Sequence, residues 1–260
     1  MRLAANLTMM FGEVPFLERF AAAAGAGFAG VEFLFPYDHA AEAVAAAAAA
    51  AGVEVVLFNL PPGDWAAGER GMAAIPGREA EFSASLEEAL DYARALKVPR
   101  LHAMAGVTEG LDGAACRATY AANLARAAAR LAEDRIDLLI EPLNPRDMPG
   151  YFLRRTADAL AIIAEIGAPN LKLQFDVYHR QIVEGDVIRG LEAAFPRIGH
   201  VQIASVPDRH EPDEGELCYA AVFRRLAELG YDGWIGCEYR PRGATLDGLS
   251  WRGTLLPHRS

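Results

Sequence analysis

Four apolar, strand-like segments in the back two-thirds of the chain each carry an oxygen donor at or near their end. They are Leu138-Leu139-Ile140-Glu141-Pro142, Leu173-Gln174-Phe175-Asp176, His200-Val201-Gln202-Ile203 and Ile235-Gly236-Cys237-Glu238-Tyr239. An ionised carboxylate at the end of an apolar strand is costly to bury without a partner. Three carboxylates and one amide, spaced about one βα unit apart, suggest a shared partner, and a divalent cation inside a barrel mouth is the simplest one. Glu141, Asp176, Gln202 and Glu238 form a hard oxygen set, which suits Mg²⁺ or Mn²⁺ better than zinc, with its preference for His and Cys.

With strands five to eight side by side, Glu141 and Glu238 flank the cluster from opposite sides. A 2-hydroxy ketone held between them has its carbonyl polarised by the cation. One glutamate removes a proton from the hydroxyl-bearing carbon, and the other delivers a proton to the adjacent carbonyl carbon. No hydride donor or nucleotide is needed. His179, three residues after Asp176, is placed above the metal to donate to a substrate oxygen. Arg209, in the charged loop Pro207-Asp208-Arg209-His210-Glu211-Pro212, is the best clamp for a substrate carboxylate, since a guanidinium fork matches it bidentately. His200 shares strand parity with Gln202 but lies deeper, as a core or supporting group. His102 is ambiguous. Glu184 and Asp186 open a helix and are best explained as caps.

The elements that position these groups alternate throughout. Apolar β-type runs at 3–9, 30–35, 54–60, 100–106, 137–143, 171–177, 200–205 and 234–239 are separated by amphipathic stretches at 14–26, 40–51, 79–96, 114–132, 157–166, 187–194 and 219–229. This is the pattern of βαβ units and a parallel sheet. Eight repeats in 260 residues predict a single closed (β/α)₈ barrel spanning 1–260. Gly25, Gly27 and Gly52 read as helix stops, and the alanine-rich stretch 40–51 as an outer helix. The long segment 61–77 follows the third strand and so lies on the catalytic face. It is a candidate lid, with Trp65 to cover the site and Arg70 to pair with an anionic substrate.

Composition narrows the function classes. Net charge is −10, which opposes nucleic acid and anionic membranes as partners. Three cysteines without a CxxC pair argue against a disulfide framework or zinc knuckle, and Cys237 reads as a small buried apolar residue. Residues Met1 to Met10 lack a signal-peptide pattern and the longest apolar stretch is a short alanine run, so the expected location is the cytoplasm. Neither GxGxxG nor GxxxxGK[ST] occurs, which leaves nucleotide binding without support. The expected partner is a small hydroxy or oxo acid, and a homo-oligomer is compatible with the chain.

Several segments are specific enough to name a family. They include Ala5-Asn6-Leu7-Thr8-Met9, Gly30-Val31-Glu32-Phe33-Leu34-Phe35-Pro36-Tyr37, Asp64-Trp65-Ala66-Ala67-Gly68-Glu69-Arg70-Gly71, Ile75-Pro76-Gly77-Arg78-Glu79, Ile140-Glu141-Pro142-Leu143-Asn144 and Trp234-Ile235-Gly236-Cys237-Glu238-Tyr239. With these, the chain resembles the hydroxypyruvate isomerase family of xylose-isomerase-like barrels over nearly its whole length. The resemblance implies a (β/α)₈ fold and interconversion of hydroxypyruvate with tartronate semialdehyde. It also implies a divalent metal on Glu141, Asp176, Gln202 and Glu238, with Glu141 and Glu238 as proton donor and acceptor. Val201-Gln202-Ile203-Ala204, Leu57-Phe58-Asn59 and His102-Ala103-Met104-Ala105-Gly106 look more like the 2-oxo-tetronate isomerases, which run the same reaction on a four-carbon acid. Phe58 stands where hydroxypyruvate isomerases tend to carry a histidine. Two other classes share such barrels. Endonuclease-IV-type phosphodiesterases use several zinc ions with many histidines, whereas this chain has six histidines in all. A non-catalytic sugar-acid binder has no need for the glutamate pair.

Overall fold

The computed structural model describes residues 1–256. Eight parallel strands close into a barrel in sequence order: β1 (Arg2–Asn6), β2 (Gly30–Phe33), β3 (Glu54–Asn59), β4 (Arg100–His102), β5 (Asp137–Ile140), β6 (Leu171–Asp176), β7 (Ile198–Ile203) and β8 (Trp234–Cys237). β8 returns to β1 through the pairs Leu3↔Ile235 and Ala4↔Gly236. Both faces of the sheet are covered, which explains the near-continuous apolar runs.

The helices form the outer ring: α1 (Phe16–Gly25), α2 (Ala41–Ala51), α3 (Glu79–Leu96), α4 (Gly113–Ala132), α5 (Thr156–Ile166), α6 (Val177–Val183), α7 (Val187–Ala194), α8 (Tyr219–Glu228) and α9 (Trp251–Leu255). Each buries one stripe; in α3 this is Phe82, Leu86, Ala89, Leu90 and Ala93. α2 stops at Gly52, whose φ of 69° lies in the left-handed region that glycine enters without steric cost. Among the described residues no helix is long and apolar enough to cross a membrane.

Most sequence-predicted strands run too far at their C-terminal ends. The first ends at Asn6 instead of Met9, because Asn6 O already accepts the Met9 and Met10 N–H groups in a turn. The fourth ends at His102, since Ala105 pairs antiparallel with Gly71 of the long loop instead of continuing the ladder. Residues such as Leu60, Ala103 and Leu143 stay apolar past the strands because they pack the barrel mouth. Two helices lack a sequence prediction: α6, which starts without a linker after β6, and the short α9.

Candidate metal centre and active site

The barrel mouth collects side chains from the ends of β5, β6 and β8. Glu141 follows β5 directly, Asp176 closes β6 and Glu238 follows β8 directly. Ligand-type atoms of Glu141, Asp176, His179 and Glu238 all lie within 4.8 Å of one another, and all four residues are buried. Asp176 divides its work: Oδ1 accepts the Tyr178 N–H at 2.7 Å and so caps α6, while Oδ2 is buried without a hydrogen-bond partner. Glu141 Oε2 accepts from Gln174 Nε2 at 2.9 Å, and its Oε1 is also buried and unpartnered. Burial, and then the neighbouring Glu238 and Asp176, push the Glu141 carboxyl well above the usual range. Burial raises Asp176 too, and lifts Glu238 to about 8.

Unpaired carboxylate oxygens are expensive in a dry interior. Here two of them converge with a third carboxylate, which is the donor set of a hard divalent cation. The cluster can hold a metal ion.

His179 plays a different part from the carboxylates. It sits in the first turn of α6, and its Nδ1 accepts the backbone N–H of Asn144 at 3.1 Å. A backbone amide can only donate, so Nδ1 carries a lone pair. Burial, together with the Arg209 charge, holds the imidazole well below its ordinary pKa and therefore neutral. The shorter approaches are to Nδ1, so the proton of the neutral ring is assigned to Nε2, which lies 3.4 Å from Arg209 Nη2, 3.5 Å from Asp176 Oδ2 and 4.0 Å from Glu141 Oε1. His179 thus offers the pocket a hydrogen-bond donor and no lone pair.

Arg209 is the local cation. Its φ of 59° is unusual for a residue with a side chain. Backbone bonds hold it there, from Arg209 N to Ser205 O and from Arg240 N to Arg209 O. The guanidinium is thereby turned inward over the Tyr178 ring, where Nη2 donates to Glu238 Oε2 at 2.8 Å and lies 3.7 Å from Asp176 Oδ2. Much of its charge is already engaged by the protein's own carboxylates.

Gln202, within β7, lies one step deeper. Its Oε1 accepts from Gln174 Nε2 at 2.6 Å, and its Nε2 donates to Glu32 Oε1 at 2.8 Å. It borders the cluster through Gln174, which bridges it to Glu141.

A cavity of about 430 Å³ opens over the cluster, with Asn59, Trp65, His102, Glu141, His179, Arg209 and Glu238 among its walls. Trp65 packs against Phe35 on its rim. Arg70 stacks on the outer side of the Trp65 ring, 3.7 Å from its centroid, and donates to the Trp65 and Glu69 carbonyls. It lines a neighbouring outer recess and not this cavity. The long loop is pinned where Gly71 meets Ala105, because a Cβ at Gly71 would collide with the Met104 backbone.

The predicted residues Glu141, Asp176, Glu238, His179, Arg209 and Trp65 therefore meet at one place, with Gln202 beneath them and Arg70 outside. Cys237 is buried, and His200 sits below Gln202. The expectation that Glu184 and Asp186 cap the helix they precede is corrected. Asp186 makes no side-chain cap, and Glu184 reaches back to accept the Thr156 N–H at the start of α5, at 2.8 Å. Sequence reasoning missed Glu32, Gln174 and Asn144. Glu32 and Gln174 carried a usable signal: each is a polar residue inside an apolar strand.

Residues 20–254 match the model of the xylose isomerase-like TIM barrel family. The chain is 58% identical to a protein of Cupriavidus necator named 2-oxo-tetronate isomerase, over 96% of each chain. It is 46% identical to a protein of Escherichia coli strain K12 named hydroxypyruvate isomerase, over 96% of this chain and 98% of that one. A crystal structure from Brucella melitensis, described as an AP endonuclease of family 2, superposes with a TM-score of 0.96 at 55% identity, covering 98% of this chain and 99% of that one. The chain belongs to the xylose isomerase-like TIM barrel family, and it is an isomerase.

Proposed function

We propose that this isomerase moves the carbonyl between neighbouring carbons of a short 2-oxo hydroxy acid, with Glu141 and Glu238 exchanging the carbon-bound proton. The observation that carries the reading is the pair of buried glutamates that line one cavity from β5 and β8, each with one oxygen restrained: Glu141 Oε2 by Gln174 and Glu238 Oε2 by Arg209. Restraint of one oxygen aims the other, which is what a positioned acid or base requires.

The acid lies with its carbonyl and hydroxyl oxygens over the cluster. When bound on Glu141, Asp176, Glu238 and the Gln202 oxygen, a divalent cation, Mg²⁺ or Mn²⁺, supplies Lewis-acid polarisation of the carbonyl. One glutamate takes the proton from the hydroxyl-bearing carbon, and the electron pair moves into the carbon–carbon bond to give an enediolate. The other glutamate returns a proton to the former carbonyl carbon, while the proton of the original hydroxyl passes to the former carbonyl oxygen, so that the carbonyl now stands on the neighbouring carbon. His179 Nε2–H donates to the oxygen on which charge develops. Arg209, already fixed by Glu238, directs its remaining N–H groups to the carboxylate or an adjacent oxygen. Trp65 roofs the cavity and excludes water. A cytoplasmic location belongs to the same reading.

The relative at 58% identity makes the four-carbon 2-oxo-tetronate the first acid to test, and the relative at 46% identity makes hydroxypyruvate the second. The endonuclease description of the Brucella structure raises a metal phosphodiesterase as the other class. Two features of this chain speak against it. The metal-type cluster contains a single histidine, whose ring geometry makes it a donor, and the chain carries a net charge of −10, unfavourable for a phosphate backbone.

The test is proton exchange followed by NMR in D₂O, with each acid, with Mg²⁺ or Mn²⁺ and then with EDTA. Cation-dependent exchange at the carbon next to the carbonyl, with formation of the isomeric product, is expected from wild type and lost in Glu141→Gln and Glu238→Gln. A near-wild-type rate in either variant would sink the two-glutamate mechanism.

A further inference from the structure

Beneath the candidate centre lies a second polar layer that the proposed chemistry does not use. Glu32, on β2, is 1% exposed inside the barrel and takes three donors. Asn6 Nδ2 at 3.1 Å and Gln202 Nε2 at 2.8 Å share Oε1, while His200 Nε2 lies 2.6 Å from Oε2. The strand on the far side of β1 is shaped for it. Gly236 of β8 sits against the Glu32 carboxylate, and a Cβ there would collide with it. A buried carboxylate with three donors and a glycine cut out for it is a built feature of the barrel.

We propose that Glu32 is a positioning residue that fixes the Gln202 amide with its oxygen toward the metal centre. The inference rests on the reading that Gln202 helps to hold a cation. An amide can present oxygen or NH₂ in nearly the same shape, and its orientation is decided by its partners. Gln202 Nε2 donates to Glu32 Oε1, so the end of Gln202 that meets Glu32 is the NH₂ group. Oε1 is then directed away from Glu32, to where Gln174 Nε2 donates to it at 2.6 Å and to Glu141 Oε2 at 2.9 Å. From Gln202 the bonds run in one sense, NH₂ to Glu32 and oxygen from Gln174, which spends its other N–H on Glu141. Turning the Gln202 amide over would set NH₂ against the Gln174 NH₂ and oxygen against Glu32, and would point a donor at the cation.

A Glu32 that served only to pair with His200 would not care what stands at 202, and that difference is testable. Mn²⁺ binding to the metal-stripped full-length protein is measured by EPR of free Mn²⁺ and by calorimetry, for wild type, Glu32→Gln, Gln202→Glu and the double variant. Groups that orient metal ligands typically contribute roughly 10–100-fold in affinity, and Glu32→Gln is expected to weaken Mn²⁺ by that factor. A carboxylate at 202 offers oxygen to both sides, so in the Gln202→Glu background the same change should cause no loss, and the double variant should bind at least as tightly as wild type. Should Glu32→Gln fail to fold, Glu32→Asp carries the test, because the shortened carboxylate releases Gln202 Nε2. Equal binding by wild type and Glu32→Gln, or the same loss in both backgrounds, overturns the proposal and leaves the metal centre standing. Absence of Mn²⁺ binding by wild type removes the metal reading and this inference with it.

Discussion

Stripping divalent cations should expose the cost of three buried carboxylates as a pH-dependent loss of stability. Burial lifts the Glu238 carboxyl from 4.5 to about 8. Between these values the folded protein binds a proton that the unfolded chain has already released. The folded state is therefore favoured at low pH, and this contribution is lost as pH rises through about 8. The useful window lies above pH 6.5. Below it, the buried neutral His102 and His179, both held under their ordinary pKa of 6.5, add the opposite slope as the unfolded chain takes up their protons. Raising pH from 6.5 to 8.5 takes Glu238 from almost fully protonated to roughly three-quarters ionised in the folded state, at a cost of about 2 kcal/mol for that one group. In a barrel of this size that lowers Tm by roughly 4–8 °C.

The assay is thermal unfolding by circular dichroism at half-unit pH steps, in EDTA and in millimolar Mn²⁺. The EDTA series should fall across the window, while the Mn²⁺ series should be flatter and diverge upward from it, because the ionised cluster is the form that binds a cation. Glu238→Gln in EDTA should lose about one proton's worth of slope. A metal-free Tm that is level or rises from pH 6.5 to 8.5, or a Mn²⁺ increment as large at 6.5 as at 8.5, would refute the reasoning.

Two further outcomes follow from the neighbours of the cluster. His179→Phe removes the Nε2–H donor while keeping a ring in the α6 turn, and should lower kcat about 10²-fold with little change in KM, since charge on the acceptor oxygen develops mainly in the transition state; steady-state kinetics giving a kcat within threefold of wild type would exclude the role. At pH 8.5, where Glu238 is largely ionised, Arg209→Ala breaks a buried ion pair and should reduce metal-free stability by about 3–5 kcal/mol in denaturant titrations. Mn²⁺ should return part of this loss, and KM for the acid should rise. An unchanged KM would move the carboxylate contact to Arg70 or Arg240 on the outer recess.

The barrel was legible because parallel strands buried on both faces leave continuous apolar runs, and because a carboxylate that closes such a run stands out. Glu141, Asp176 and Glu238 were visible on that ground. Glu32 breaks an apolar run in the same way, between Val31 and Phe33, yet a search confined to strand ends passes over it, as it does Gln174, two residues before Asp176. Both belong to the layer below the mouth. The Asn144 contact was invisible for another reason: its backbone N–H fixes the His179 tautomer, and backbone donors leave no trace in residue type. α6 escaped notice because its N-cap is Asp176, a residue with an evident second use. Arg70 read as a substrate contact from its place on the catalytic face, but cation–π stacking on Trp65 and two carbonyl contacts hold it outside the cavity.

Charge balance ties these pieces to the kind of cation the pocket can take. Glu141, Asp176 and Glu238 bring three negative charges when ionised, and Arg209 is the cation set directly among them. His179 and His102 are kept neutral by burial. Arg209 alone leaves the pocket strongly anionic, and protonation of the carboxyls is the response of the metal-free protein. A divalent ion closes the balance to neutrality without moving Arg209 from Glu238. A monovalent ion leaves one charge uncompensated in a low-dielectric site, and a trivalent ion overshoots. The same arithmetic explains why the histidine at this site should be a donor: a fourth ligand that brought charge would undo the balance, whereas a neutral amide oxygen such as that of Gln202 adds coordination without charge.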